Sequence, residues 1–266
     1  VSTQFSAHWL HLRERADHRA RAVALLPPLT GWLPDRHVQV VDLGAGSGSN
    51  LRYLSPLLPR SQSWHLVDQD RALMTTATAP DGTVRVHRHA SDLRQGPVLP
   101  EQAPHLVTAS ALLDLVSRPW LEQFAAECRA AGCAVLVALT YDGRIRWQPD
   151  DPDDALLNRL VNSHQRRDKG FGPALGPDAA DTAASVFRQS GFRTWLSPSP
   201  WRLGGAEAPL QSALLDGWLT AANEQTDTCH ERLARWAARR RRYLDAGEGV
   251  LTVGHLDLLA LPPEPA

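Results

Sequence analysis

The chain has 266 residues, 43% of them hydrophobic and 21% charged, enough apolar material for one large α/β domain with additions. Its net charge of −1 and isoelectric point of about 6.9 argue against a dedicated nucleic-acid binder, which would present a basic face. No apolar run approaches the ~18–20 residues of a membrane span, no basic-then-apolar leader pattern opens the chain, and Cys128, Cys133 and Cys229 form neither a C-x-x-C pair nor a zinc spacing, so a soluble, cytoplasmic protein with no metal site and no membrane partner is expected.

In chain order, residues 5–26 read as a helix with Trp9, Leu12, Ala16, Ala20 and Val23 along one face, ended by Pro27. A strand over 38–42 then leads into VVDLGAGSGSN, residues 40–50. An apolar run ends in Asp42, and Gly44, Gly46 and Gly48 alternate with small residues such as Ala45. Glycines here permit backbone angles that a side chain forbids, and they leave room for a ligand to lie on the main chain. Dinucleotide folds space their glycines as G-x-G-x-x-G. In this chain the third glycine comes one residue early, and position 49 is Ser. Asp42 would repel a pyrophosphate but suits a ligand with an ammonium group.

The second strand, over 63–68, ends in HLVDQD. Asp68 follows the last glycine by about twenty residues, the separation of a ribose-binding acid; it could instead cap the helix that begins near Asp70. A third strand, over 84–88, precedes Asp92 and Leu93, where Asp92 is either a ligand-binding acid or a turn residue. The fourth, over 105–109, ends at the small residues Ser110 and Ala111, and Asp114 beyond it is either a helix-start acid or an active-site carboxylate. A helix over 119–131 stops at Gly132, and a wholly apolar strand follows over 133–140. Strands alternating with helices predict a doubly wound sheet whose ligand sits beyond the strands' carboxyl ends.

Taken together, D-x-G-x-G-x-G, HLVDQD, ASDLR and TASALLD resemble the motifs of the class I S-adenosylmethionine (SAM) methyltransferase superfamily. The resemblance implies a mostly parallel seven-stranded sheet with helices on both faces, SAM as cofactor and S-adenosylhomocysteine as product. It implies that Asp42 meets the amino group of SAM, and that Gly44, Ala45, Gly46 and Gly48 line its carboxypropyl chain and ribose. By the same resemblance Asp68 binds the ribose, Gln69 lies near the adenine, Asp92 accepts from the adenine amino group, Leu93 packs on the ring, and Ser110 faces the methyl.

The rest of the chain departs from the sheet pattern. A helix over 178–190 and a strand over 192–196 precede a last strand within 249–260, and some forty-five residues separate these two strands. One domain is expected, with its sheet core at about 31–140, 177–203 and 249–263 and a helical cap from about 1–30, 141–176 and 204–248. In the cap, Asp151 and Pro152 start a helix whose apolar stripe ends at His164, either a general base or an inert core histidine. Asp142, just past the fifth strand, is a second candidate base or a turn residue. Trp9, Trp147, Trp201, Trp218 and Trp236 either line an acceptor pocket or fill a thin core, and the arginines at 239–242 form a solvated helix end or bind an anion. The expected activity is in-line transfer of the SAM methyl to a small-molecule acceptor, with His164, Asp142 and Asp114 as candidate bases if the acceptor must lose a proton. An NAD-type oxidoreductase and a non-catalytic SAM-binding subunit are the alternatives. The acceptor atom and the oligomeric state are not legible.

Overall fold

The apolar runs form the middle of one eight-stranded sheet, seen in a computed structural model that describes residues 6–80, 84–100 and 103–263. Its strands are β1 (Val38–Leu43), β2 (Gln62–Asp68), β3 (Val84–Ala90), β4 (Leu106–Ser110), β5 (Ala134–Gln148), β6 (Arg193–Pro198), β7 (Trp201–Leu203) and β8 (Val250–Leu261). They lie in the order β3-β2-β1-β4-β5-β8-β6, with β7 also paired to β8. β1 to β5 are mutually parallel, and β8 runs antiparallel to β5, β6 and β7. The expected sheet had seven strands; the eighth is β7. It forms because β8 is 12 residues long and β6 only six, so half of one edge of β8 would be left without hydrogen-bond partners. After Ser199 and Pro200 the chain returns to that edge, setting Trp201 opposite Val253.

The helices are α1 (Ala7–Ala20), α2 (Leu26–Trp32), α3 (Ser49–Leu54), α4 (Arg71–Thr76), α5 (Arg118–Ala131), α6 (Asp154–Gln165), α7 (Ala179–Gln189), α8 (Ala208–Asn223) and α9 (His230–Asp245). The single helix expected over 5–26 is two helices here, and its first residue, Phe5, lies outside the described residues. Pro27 does not end it: Pro27 stands in the first turn of α2, where no amide is needed. The break falls at Arg21, because the buried carboxylate of Asp257 takes the amide of Ala22 at 2.9 Å and the Arg21 guanidinium donates to Asn50 Oδ1 at 2.7 Å.

β5 was expected to end at residue 140 but continues to Gln148. Its pairing with β8 shifts register between Val137 and Thr140 and again between Tyr141 and Ile145. Leu139 and Gly143, at φ 55° and 87°, absorb these bulges. Beyond them, buried Ile145 and Trp147 alternate with exposed Arg144 and Arg146, the pattern of a strand with one covered face. β5 and β8 thus continue beyond the parallel strands, with β7 on the other edge of β8, as a three-stranded arm.

Three apolar clusters follow from this layout. Val41, Val107 and Val137 pack against Phe124 of α5 and Phe187 of α7 on one sheet face. Val40, Leu66 and Leu106 pack against Leu29, Leu51 and Met74 on the other. The third cluster joins the arm to α1, α6, α8 and α9, with the Trp147 ring 6.2 Å from Trp218 and 6.0 Å from Trp236. Trp147 and Trp236 are therefore core residues of the cap. The arginine run is solvated only in its second half: Arg241 and Arg242 are exposed, but Arg239 is bonded to Asp151 and Asp153, and Arg240, 1% exposed, pairs with Asp154. These bonds tie α9 to the start of α6.

Candidate active site

The carboxyl ends of β1, β2 and β4 open on a cavity of about 160 Å³. Gly44 and Gly46 line it from the turn after β1, Asp68 and Gln69 from the end of β2, Asp92 and Leu93 from the turn after β3, and Ser110 from the end of β4. Leu10 and Arg13 of α1 and Lys169 and Phe171 from the loop after α6 complete its walls. Asp42, Ala45 and Gly48 are not among the lining residues.

The turn is held by its own hydrogen bonds. The amides of Gly44 and Ala45 both donate to the Val67 carbonyl, at 2.9 and 3.2 Å, and that of Gly48 to Ala45 at 2.8 Å. Asp68 accepts from the amides of Gly46 and Asp70, both at 2.8 Å, one on each oxygen. A carboxylate accepts about four hydrogen bonds, so roughly half its capacity is left for a ligand. The amides of Gly44, Ala45, Gly46 and Gly48 are spent internally, and what the first two glycines offer a ligand is bare backbone at φ 69° and 51°.

Asp42 is 1% exposed. One of its oxygens accepts from Asn50 Nδ2 at 2.9 Å, and the other has no hydrogen-bond partner. Burial pushes its carboxyl up to about 7, against the opposing pull of the Asn50 bond and the Arg21 charge. Asp92 caps the turn that follows it and grips Arg94 with both oxygens, which holds its carboxyl below the usual range. The Leu93 carbonyl accepts from Trp120 Nε1 at 2.7 Å, fixing Leu93 against the cavity.

A second cavity of about 280 Å³ adjoins the first, and Arg13, Ala111, Leu115 and Lys169 line both. Its other walls are Trp9 of α1, Leu139 and Tyr141 of β5, Trp201 of β7, Leu214 and Trp218 of α8, Val253 and His255 of β8, with Asp114 and Gln165. Ala111 and Leu139, at φ 53° and 55°, are the only non-glycine residues with positive φ among the described residues, and both line this cavity. Backbone strain of this kind gathers at ligand sites.

Of the candidate bases, Asp114 lies in the second cavity. Burial pushes its carboxyl up to about 6, opposed by a backbone hydrogen bond and by the charges of Arg13 and Lys169. One of its oxygens has no hydrogen-bond partner. His164 and Asp142 line neither cavity. The His164 ring is held between Glu224 Oε2 and Lys169 Nζ, each at 3.3 Å, and Asp142 is occupied by the side chain and amide of Arg144. The sequence reading did not single out His255, Arg13 or Tyr141 as site residues. His255 is fully buried, and burial drives its ring down to about 3, so it is neutral. Its signal in the sequence was a titratable group, one of two with Asp257, inside the apolar run GVLTVGHLDLLA. Among the described residues no group of three or more His, Cys, Asp or Glu is placed to hold a metal ion, and no helix is long and apolar enough to cross a membrane.

A sheet of this order, with one antiparallel strand between the fifth and sixth and the ligand cavity at the carboxyl edge, has the Rossmann-like fold of the class I SAM-dependent methyltransferases. The chain is similar in structure to the cyclopropane synthase MmaA2 of Mycobacterium tuberculosis, at 12% identity over 96% of this chain and 94% of that one, with a TM-score of 0.51. It is similar to the YcgJ protein of Bacillus subtilis at 14% identity, covering 91% and 100% of the two chains, also with a TM-score of 0.51. A SAM-dependent methyltransferase of Geobacter sulfurreducens in complex with S-adenosylhomocysteine aligns at 16% identity over 97% and 99%, with a TM-score of 0.48. At these identities the likeness to the first two establishes the fold alone. No protein-family model and no curated protein matches the sequence.

Proposed function

We propose that this protein transfers the methyl group of SAM to a small molecule held in the second cavity. The observation that carries this reading is the shared wall. A cavity edged by bare glycine backbone and a half-committed carboxylate opens, across Ala111 and Leu115, beside an aromatic chamber.

The residues of the first cavity fit the cofactor. Asp68 has acceptor capacity left for both ribose hydroxyls, Leu93 presents an apolar surface to the adenine, and Gly44 and Gly46 leave space for the methionine half. Gln69 and Asp92 stand at the adenine end, and Ser110 at the methyl end. Asp42 acts from behind the turn, where its buried carboxylate holds Asn50 and through it the start of α3. When bound, SAM supplies a methyl group already activated on a sulfonium centre. The chain's own task is then to align the acceptor with that methyl and to exclude water, which supplies several kcal/mol, roughly 7–11 in favourable cases. If the acceptor atom carries a proton, Asp114 is placed in the acceptor chamber to receive it.

Differential melting tests this reading. The midpoint should rise with SAM and with S-adenosylhomocysteine and stay put with NAD. A rise with NAD alone would make the protein an oxidoreductase instead. Binding of SAM without turnover, under a broad acceptor panel with a labelled methyl, would leave a non-catalytic SAM-binding subunit.

A further inference from the structure

We infer that the acceptor is a neutral, planar aromatic molecule of one or two rings that carries a hydroxyl group. The inference rests on the methyl-transfer reading for its role as acceptor, but the binding chemistry stands on the second cavity alone.

Size comes first. The cavity measures about 280 Å³. An apolar cavity of roughly 150 Å³ holds one benzene ring, so there is room for about two. Shape comes next: Trp9, Tyr141, Trp201 and Trp218 supply flat faces from four separate elements, α1, β5, β7 and α8. Such rings stack on planar ligands and leave little for a flexible chain to grip.

Charge decides between the aromatic ligands. An aromatic cage with a nearby carboxylate would suit a cation. Here, however, the Arg13 guanidinium already lies over the Trp201 ring at 5.1 Å, locked there by Asp17, and Lys169 lines the same cavity. Two resident cations oppose a third. An anion would meet the Asp114 carboxylate, Arg13 is already neutralised by Asp17 at 2.8 Å, and Lys169 is held at the His164 ring under the charges of Glu224 and Asp114. A neutral ligand remains.

The hydrogen-bonding inventory selects the hydroxyl. Three lining residues each keep one buried side-chain atom without a partner: Trp9 Nε1, Asp114 Oδ1 and His255 Nδ1. An indole N–H only donates, and an ionised carboxylate only accepts. The imidazole of His255 sits against Trp201 at a ring separation of 4.8 Å, with Tyr141 at 6.4 Å and Arg13 as the charge that bears on it. It is neutral, and its N–H is taken by the backbone of Val253, so the ring keeps one acceptor for a ligand. A group that both donates and accepts is needed, and a ring hydroxyl accepts from Trp9 and gives its one proton to Asp114 or His255, where an arylamine accepts poorly. His255 is thereby a specificity-determining residue.

Titration of the full chain by calorimetry or by quenching of tryptophan fluorescence, with and without saturating S-adenosylhomocysteine, tests this. The probes are 2-naphthol, naphthalene, 2-naphthoate and trimethylphenylammonium. Expected is at least tenfold tighter binding of 2-naphthol than of the other three. In His255→Phe that preference over naphthalene should fall below threefold. If His255→Phe does not fold, Trp9→Phe keeps the ring, removes the N–H and should lower the same ratio. Equal affinity for naphthalene and 2-naphthol, or preference for either charged probe, overturns the inference. Binding of S-adenosylhomocysteine with no binding of 2-naphthol overturns the acceptor class and leaves the cofactor reading intact. Binding of 2-naphthol without S-adenosylhomocysteine does the reverse.

Discussion

The backbone amide of Leu139 donates a 2.7 Å hydrogen bond to Oδ1 of Asp257, a carboxylate that is 2% exposed. The same side chain accepts from Ser199 Oγ and from the amide of Ala22, so one carboxylate fixes the bulge of β5, the turn before β7 and the end of α1. Asp257→Ala would leave these donors buried without partners. The expected cost is about 3 kcal/mol or more, and a melting midpoint roughly 6–12 °C lower for a chain of this size. A thermal melt within 2 °C of the parent would contradict this account of the bulge.

Asp68→Ala should weaken binding of S-adenosylhomocysteine tenfold or more, since charge-assisted bonds of roughly 1.5–3 kcal/mol are lost. The amide of Gly46 loses its 2.8 Å acceptor as well, so the turn itself should loosen. Calorimetric titration with unchanged affinity would remove Asp68 from the site.

Two glycines of the same turn should fail differently. A side chain at Gly48 would stand 2.6 Å from Ala77 Cβ and 3.1 Å from its Cα, at φ 80°, so Gly48→Ala should lower the melting temperature. At Gly46 the nearest atom is the end of the Leu10 side chain, at 3.3 Å. Gly46→Val, strained at φ 51°, should also cost stability, but its main effect should be lost cofactor binding, because its branches occupy the cavity. Normal affinity in a folded Gly46→Val protein would contradict the placement of the loop.

Asp114 and His255 should give opposite pH signatures. Asp114 rises to about 6 on folding, so the native state binds more protons than the unfolded chain between about 4 and 6, and stability falls as pH climbs through that window. The shift corresponds to an effect on the order of 2–3 kcal/mol. Asp114→Asn should flatten that fall. His255 drops to about 3 from an ordinary 6.5, so its contribution grows as pH rises from about 3 to 6.5. His255→Phe should protect the fold on the acid side. Denaturant midpoints measured from pH 4 to 8 would show both slopes. If Asp114 takes the acceptor's proton, turnover should climb through pH of about 6 and level off above it.

The cap offers a contrast in ion pairs. Asp154→Ala would strand the Arg240 guanidinium, 1% exposed, and should cost roughly 3–5 kcal/mol. Asp216→Ala removes an exposed partner of Arg241 and should cost under about 1 kcal/mol. Chemical denaturation of the two variants distinguishes a buried latch from a surface pair, and equal losses would sink the distinction.

Much of the sheet was legible because its signals are local. The strand ahead of Asp42, the glycines after it and the acid at the end of β2 can each be read from neighbours in the sequence. The arm was not legible. Gly143 looked like a turn after Asp142, and only its pairing across to β8 makes it a bulge inside one strand. The chamber was less legible still. Trp9, Asp114, Tyr141, Trp201 and His255 come from five separate segments, and no spacing announces their meeting. His164 drew notice through its position on a helical stripe, yet its ring is taken up by Glu224 and Lys169. Asp257 carried a usable hint, an acid within an apolar strand, which is costly unless several donors surround it.

Because β5 and β8 stay paired, across two bulges, from the sheet into the cap, a hydrogen-bonded strut joins the strand beside Ser110 and the first cavity to the wall of the second. On the proposed reading, the reach between methyl donor and methyl receiver is thus set when the polypeptide folds, a prefabricated gauge whose two sockets are spaced before either guest arrives.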